Sequence, residues 1–365
     1  MISADVFDLD AMLADLATLV EIESPSLDLD ALDESAGSVA AMIERHLGGT
    51  CVLVPSEAGP HVHWRGGGDP QVLLLGHHDT VFPIGTLARR PFDVSDDIAT
   101  GPGVFDMLGG IVQALHGLSR LDDRSGVEVL FSADEEVGSL HSRALIEDRA
   151  RACGNVLVLE PSAAGGDLKT GRKGCGTFEV VIEGRAAHAG LEPENGVNAL
   201  VETAHQVLAI NRIGRPEVGT TVTPTVATAG TADNVVPAES RIKVDVRVES
   251  AEEKDRVEAA MATLAVVDDA ARLTVRGGVN RPPMPESASA TLFPLAEQVA
   301  PGIAGHAVGG GSDGNFTAAI GIPTLDGLGA VGGGAHADSE HIVVSTMPAR
   351  AALIANLVAT ICERD

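Results

Sequence analysis

The chain has 365 residues, with 52 acidic side chains against 25 basic ones and a formal charge of −27. That length exceeds the usual reach of one hydrophobic core, so a large domain with a smaller companion is expected, and the 44% hydrophobic content, 42 glycines and 2% aromatics describe a globular protein with an aliphatic core and many tight loops. Clustered Lys and Arg are too scarce for phosphate binding, which excludes nucleic acid and anionic membrane as partners.

Cys51, Cys153, Cys175 and Cys362 are far apart and form no Cys-x-x-Cys pair. Neither a cysteine zinc knot nor a redox pair is indicated, and a reducing cytoplasm fits best. The N-terminus is acidic and amphipathic, and no apolar run is read as approaching the roughly 18 residues of a membrane span. A cytoplasmic location without a membrane segment is the expectation.

In chain order, Met12, Leu13, Leu16, Leu19 and Val20 share one face of a helix over 8–22, stopped at Glu23-Ser24-Pro25-Ser26. A second helix is predicted over 33–47. Short strands follow at Thr50–Val54 and Val62–Trp64, then the turn Gly66-Gly67-Gly68-Asp69-Pro70. From there buried strands alternate with helices: Val72–Leu75, a helix over Gly109–Leu118, Val127–Phe131, a helix over 139–150, and Val156–Leu159. Continuous aliphatic runs separated by helices predict an α/β fold with a mostly parallel central sheet covered on both faces. From Gly176 the pattern becomes half-buried alternation: strand 177–183, helix 196–212, strands 220–228 and 239–248, helix 251–264, strand 271–276. That is the β-α-β-β-α-β order of a ferredoxin-like domain. The expected organisation is a first catalytic part over 1–174, an inserted domain over 175–283 leaving through Gly277-Gly278 and Pro282-Pro283, and a second catalytic part over 284–365. The last part carries a helix, the loop Gly309-Gly310-Gly311-Ser312-Asp313, a strand Ile322–Leu325 and a helix over 346–363.

The chemistry gathers where the strands end. Gly76-His77-His78-Asp79-Thr80-Val81 follows the first buried strand. Asp106 lies between Gly101-Pro102-Gly103-Val104-Phe105 and Met107-Leu108-Gly109-Gly110. Asp134-Glu135-Glu136 follows the second buried strand, Glu160 the third, and His336 lies in a late glycine loop. Ligands of such sheets gather beyond the carboxyl ends of the strands. Two His and three carboxylates suit a pair of zinc ions roughly 3.5–4 Å apart that share one bridging carboxylate. Against two dications, three carboxylates leave one positive charge, which a hydroxide would cancel. His78 reads as a hydrogen-bonding neighbour, because adjacent strand residues face opposite ways. His306 and His341 compete with His336, which the Ala-His-x-Asp context favours. His61, His63, His116, His141 and His205 read as structural or surface residues.

These motifs together, Gly-His77-x-Asp79-Thr-Val, Gly-Pro-Gly-x-x-Asp106-Met-x-Gly-Gly, Asp-Glu135-Glu136-x-Gly-Ser, Leu-Glu160-Pro, His188-Ala-Gly and His336-x-Asp338, resemble the aminoacylase-type di-zinc metallopeptidases, and most closely their glutamate carboxypeptidase branch. The resemblance runs over essentially the whole chain. It implies two zinc ions per chain, with cobalt or manganese as substitutes in vitro. It also implies that Asp106 bridges them, that His77 and Glu160 complete one, and that Glu136 and His336 complete the other. Asp79 would orient His77, Glu135 would be the general base, and His188 would hold the developing oxyanion across a homodimer formed through the inserted domain. Arg281, Asn234, Gly310 and Ser312 match or adjoin positions that bind substrate, with Arg281 suited to a carboxylate, although a salt bridge beside a proline turn is the alternative for Arg281. One departure is Leu108, where many relatives carry Lys.

The expected activity is hydrolysis of an amide bond to release a C-terminal amino acid, glutamate being the leading candidate, from a small N-acyl amino acid or peptide. An N-acyl amino acid deacylase or dipeptidase on the same core is the enzymatic alternative. A non-catalytic metal-dependent binding protein is the alternative from another class, and the presence of Glu135 argues against it.

Overall fold

The computed structural model describes residues 1–363, and the chain divides into two units. The first comprises Met1–Gly171, Met284–Val308 and the chain from Ser312 onward; the second comprises Arg172–Pro283 with Gly309–Gly311.

The first unit opens with two side-chain-capped helices. Asp8 accepts from the amide of Ala11 at the start of α1 (Leu9–Val20), and Asp28 accepts from that of Ala31 at the start of α2 (Leu29–Leu47), each at 3.2 Å. The Asp28 cap satisfies otherwise orphaned helix donors and lets α2 begin a turn before the expected position 33. β1 (Val52–Val54) and β2 (His61–Arg65) follow, then β3 (Val72–His77), the short β4 (Asp93–Ser95) and β5 (Ile98–Thr100), α3 (Gly109–Ser119), β6 (Val127–Ser132), α4 (Arg143–Cys153), β7 (Val156–Val158) and β8 (Leu168–Arg172). α4 starts later than the expected 139 because a turn intervenes, in which Asp134 Oδ2 accepts from the amide of His141 at 2.8 Å.

The second unit runs β9 (Gly174–Glu183), α5 (Ala199–Asn211), β10 (Thr221–Ala229), β11 (Glu239–Val248), α6 (Ala251–Ala262) and β12 (Arg272–Arg281). Its antiparallel sheet has the order β10-β11-β9-β12, the ferredoxin-like arrangement. Alternation explains it: Phe178, Val180 and Ile182 of β9 and Ile242, Val244 and Val246 of β11 are buried with Val257 and Met261 of α6. Glu179, which alternates with the apolar positions of β9, forms ion pairs with Arg241 of β11 and Arg276 of β12. Gly277-Gly278 does not end β12 as the sequence suggested. The strand continues past a register shift to Arg281, which stands opposite Cys175 near the start of β9.

The chain returns to the first unit through α7 (Phe293–Val299), β13 (Gly305–Val308), α8 (Gly314–Ala319), β14 (Thr324–Leu325), β15 (Gly332–Gly333), β16 (His341–Val343) and α9 (Met347–Cys362). The six-stranded sheet has the order β1-β2-β6-β3-β7-β14, parallel from β6 to β14 with β1 and β2 antiparallel at one edge. Val72 and Leu74 of β3 belong to the main core with α1, α3 and α9, whereas Leu73 and Leu75 belong to a second core with Ile146 and Ala150 of α4. Each such side chain contributes about 1.5–3 kcal/mol relative to exposure. The segment Val344–Cys362 is long and apolar enough to cross a membrane, with mean hydropathy 1.3, against the reading that no run approaches that length; 67% of it is buried inside the unit. It is a core helix packed on α3, where a Cβ at Gly117 would come within 2.6 Å of the Ala351 carbonyl.

Candidate metal centre

β3 delivers His77 to the carboxyl end of the sheet, where its Nε2 lies 3.3 Å from Asp106 Oδ1 and 3.7 Å from Glu160 Oε1, just beyond β7. The other oxygen of Asp106, Oδ2, lies 3.3 Å from His336 Nε2, which is itself 3.1 Å from Glu136 Oε1 in the turn after β6. One carboxylate thus faces two imidazoles, one from each oxygen, and each imidazole has a second carboxylate beside it. His77, Asp106 and Glu136 each offer a ligand atom within 4.8 Å of the others. His77 is buried, while the His336 side chain is 51% exposed, so the centre opens to solvent on that side.

The protonation balance of this cluster is that of a site built for cations. Asp106 and Glu136 raise the His336 imidazole to about 10, with burial opposing them. Burial works against charge on His77 too, yet its hydrogen bonds to Asp106 and Asp79 lift it well above the usual range. Burial likewise opposes charge on Asp106, but His336 and His77 hold its carboxyl below its ordinary value. Protons on imidazole do here what divalent ions would do, and two nitrogens with three carboxylates form a donor set that fits borderline divalent ions.

Asp79 ties the parts together. His77 Nδ1 donates to the Asp79 backbone carbonyl at 2.9 Å, leaving Nε2 for ligation. The Asp79 carboxylate accepts from the amides of Glu135 and Glu136, both at 3.2 Å, and from Ser26 Oγ at 2.7 Å. The general-base candidate Glu135 and the candidate ligand Glu136 are thereby positioned from the turn just after the strand that carries His77. Asp106 sits in the turn Val104–Leu108 behind Gly103 (φ 75°), and its peptide bond to Met107 is cis. The glycine pair after it has a packing reason: a Cβ at Gly110 would fall 2.3 Å from the Leu159 carbonyl, next to Glu160. Leu108 is buried, 2% exposed, and is a core residue here.

A second His–carboxylate cluster lies among α1, α2 and α3. Asp15 Oδ2 is 2.6 Å from His46 Nε2 and 2.9 Å from His116 Nε2. Arg45 Nη2 donates to Asp15 Oδ1 at 2.6 Å, so the carboxylate is already neutralised.

A model of peptidase family M20/M25/M40 matches residues 73–360. The chain is 34% identical over 376 aligned residues to carboxypeptidase G2 of Pseudomonas sp. (strain RS-16), covering 95% of this chain and 88% of that protein. The chain belongs to peptidase family M20/M25/M40. Solved structures share the fold: a tripeptidase from Staphylococcus aureus (TM-score 0.76, 19% identity, 98% of this chain and 99% of that one) and an M20 family metallo-carboxypeptidase from Sulfolobus solfataricus (TM-score 0.76, 16% identity, 96% and 99%). As a member of M20/M25/M40 the chain is a metal-dependent peptidase, and the cluster around Asp106 is its candidate dinuclear metal site.

The other residues singled out in this M20/M25/M40 chain are distributed as follows. His188, Asn234, Arg281 and Gly310 lie in the second unit, Ser312 in the first. His188 pairs with Val235, and the amide of Ala189 donates to the Asn234 carbonyl at 2.9 Å, so His188 and Asn234 are neighbours. His188 is exposed, and its Nδ1 accepts from the amides of Gly190 and Leu191, both at 3.1 Å. Arg281 is buried at the end of β12. Gly310 accepts at its carbonyl from Arg172 Nη1 at 3.1 Å. Ser312 is buried, its hydroxyl donating to Asp326 Oδ2 at 2.6 Å. His78 is buried against Ser35 Oγ and the Pro60 carbonyl, each at 3.0 Å, and burial pushes its imidazole down to about 4.

Two residues escaped the sequence reading. Ser26, part of the helix stop in the sequence, donates to the Asp79 carboxylate. The His336-x-Asp338 motif points to Asp338, whose side chain is 96% exposed, whereas Glu340 two residues on is fully buried under the Asp106 turn.

Proposed function

We propose that the chain is a di-zinc carboxypeptidase that releases a C-terminal amino acid, with glutamate the leading candidate, from an N-acyl or peptidyl group. The observation that carries the reading is the Asp106 carboxylate, with one oxygen 3.3 Å from His77 Nε2 and the other 3.3 Å from His336 Nε2. That is the disposition a bridging ligand needs. His77 and Glu160 would hold one ion, Glu136 and His336 the other. The similarity to carboxypeptidase G2 over nearly the whole chain supports the carboxypeptidase direction.

When bound, the two ions lower the pKa of water toward neutrality and polarise the scissile carbonyl. Glu135 takes a proton from the attacking water as its oxygen bonds to the carbonyl carbon, and delivers that proton to the nitrogen as the C–N bond breaks. Asp79 keeps Glu135 and His77 in register through the backbone and ring contacts described above. His188 holds the developing oxyanion. Because its Nδ1 is committed to two backbone donors, the neutral ring carries its proton on Nε2, the tautomer that donates outward. In this reading the ferredoxin-like unit is the homodimerisation domain, and Arg281 and Asn234 take the substrate carboxylate. Gly310 lines the pocket, while Ser312, whose hydroxyl is committed to Asp326, shapes the loop.

Glu135→Gln is expected to lower kcat by about 10²–10⁴-fold while metal content, measured by elemental analysis, stays at the wild-type level. Wild-type turnover in that variant would sink the mechanism. Kinetics on N-acyl-glutamate, other N-acyl amino acids and dipeptides separate the carboxypeptidase from a deacylase or dipeptidase.

A further inference from the structure

Two loops far apart in sequence bring the proposed metal ligands Asp106 and His336 together. One leaves β5 and reaches Asp106; the other carries His336 and enters β16. These strands are paired, His341 opposite Thr100 and Ile342 opposite Ala99. Glu340 is the residue immediately before β16, and its carboxylate turns back under the Asp106 loop. Oε1 accepts from the amides of Phe105 at 2.9 Å and Asp106 at 3.0 Å, and Oε2 accepts from that of Gly103 at 3.3 Å. The residue is 0% exposed. Three donors of one turn thus converge on one side chain more than 230 positions away in sequence. Left without it, those amides would be buried and unsatisfied.

We infer that Glu340 is a positioning residue for the metal centre: it fixes the Gly103–Asp106 turn so that Asp106 presents one oxygen to each imidazole, and it fastens that turn to the loop bearing His336. The inference rests on the reading of Asp106 and His336 as ligands. A carboxylate suits the role because all its partners are donors. In Glu340→Gln, the amide oxygen can keep Phe105 and Asp106, but its NH₂ meets the Gly103 N–H donor to donor. Glu340→Ala removes all three contacts. Residues that orient metal ligands typically change metal affinity by about 10–100-fold when replaced.

The test is a zinc titration of metal-free protein against a competing chelator, alongside thermal unfolding of the same metal-free samples. Glu340→Ala is expected to bind zinc about 10–100-fold more weakly, and Glu340→Gln to recover part of that loss, each variant still unfolding cooperatively. A merely structural residue would lower the unfolding temperature and leave zinc affinity at the wild-type value, and that result overturns the inference. Should Glu340→Ala fail to fold, Glu340→Gln carries the same test, and wild-type affinity in it overturns the inference. Asp106→Asn separates the two readings. If it binds zinc as the wild type does, the reading of the centre has failed and this inference falls with it. If Asp106→Asn binds weakly while Glu340→Ala binds normally, the Glu340 inference alone is wrong.

Discussion

The first unit contains two clusters made of the same residue types, and they do opposite things. Around Asp15, two imidazoles converge on one carboxylate oxygen while Arg45 occupies the other. Around Asp106, two imidazoles share three carboxylates, and no Lys or Arg among the described residues is within salt-bridge distance of Asp106 or Glu136. The first cluster is electrostatically complete and joins three helices. In the second, the groups facing Asp106 and Glu136 are imidazoles, whose charge is a proton that a divalent ion can replace. The lesson is that a His–carboxylate constellation is read as a metal site by whether a permanent cation already holds its central carboxylate, as Arg45 does at Asp15 and as no Lys or Arg among the described residues does at Asp106.

The largest expected effect that would sharpen the contrast is at Glu136. Glu136→Gln should remove at least one of two bound metals per chain and lower hydrolysis by more than about 10²-fold, while the metal-free protein loses no more than about 1 kcal/mol, because the ion pair it gives up is with the half-exposed His336. Elemental analysis and calorimetry on metal-free samples check it. A marked loss of metal-free stability with metal content unchanged would break the comparison.

Asp15→Asn should behave in reverse. The unfolding free energy is expected to fall by about 1.5–3 kcal/mol, since charge-assisted hydrogen bonds to His46, His116 and Arg45 weaken, with metal stoichiometry and hydrolysis at wild-type values. Denaturant titration and metal analysis of the same preparation test this.

The smallest effect is in pH. Burial holds the His116 imidazole below its ordinary value despite Asp15 beside it. The unfolded chain therefore binds a proton at a pH where the folded one does not, so stability from this group is full above pH of about 6.5 and declines as pH falls below it. Burial also opposes charge on Asp15, but His46, His116 and Arg45 depress it overall, so its share is lost only at lower pH, as the pH falls through the depressed value. His116→Gln should flatten the upper part of this decline, between about pH 7 and 5, in unfolding temperatures measured across pH. An unchanged slope would show that His116 does not titrate with folding.

The features legible in the sequence were those with local periodicity. β3, β6 and β7 are aliphatic runs whose ends are marked by His77, Glu135-Glu136 and Glu160, and the switch to half-buried alternation announced the ferredoxin-like unit. The sheet β15-β16-β5-β4 was invisible because its strands have two or three residues and β15 is Gly332–Gly333, with no side chain to alternate. β8, Leu-Lys-Thr-Gly-Arg, has no apolar pattern either, and it is held by pairing with β13. Glu340 gave no signal because its partners are backbone amides far along the chain, and backbone donors have no letter in a sequence.

Arg281 and Cys175 stand opposite each other in one sheet, so the ferredoxin-like unit leaves the chain almost where it entered. All five proposed metal ligands, with Asp79 and Glu135, lie outside that excursion, whereas His188, Asn234 and Arg281 lie within it. In the proposed reading, the metal ligands and the general base are therefore encoded outside the insert, and the oxyanion donor and substrate-carboxylate residues within it. Exchanging that insert at its two-strand doorway would change the substrate contacts and the oxyanion donor together, while the water-activating set stayed in place.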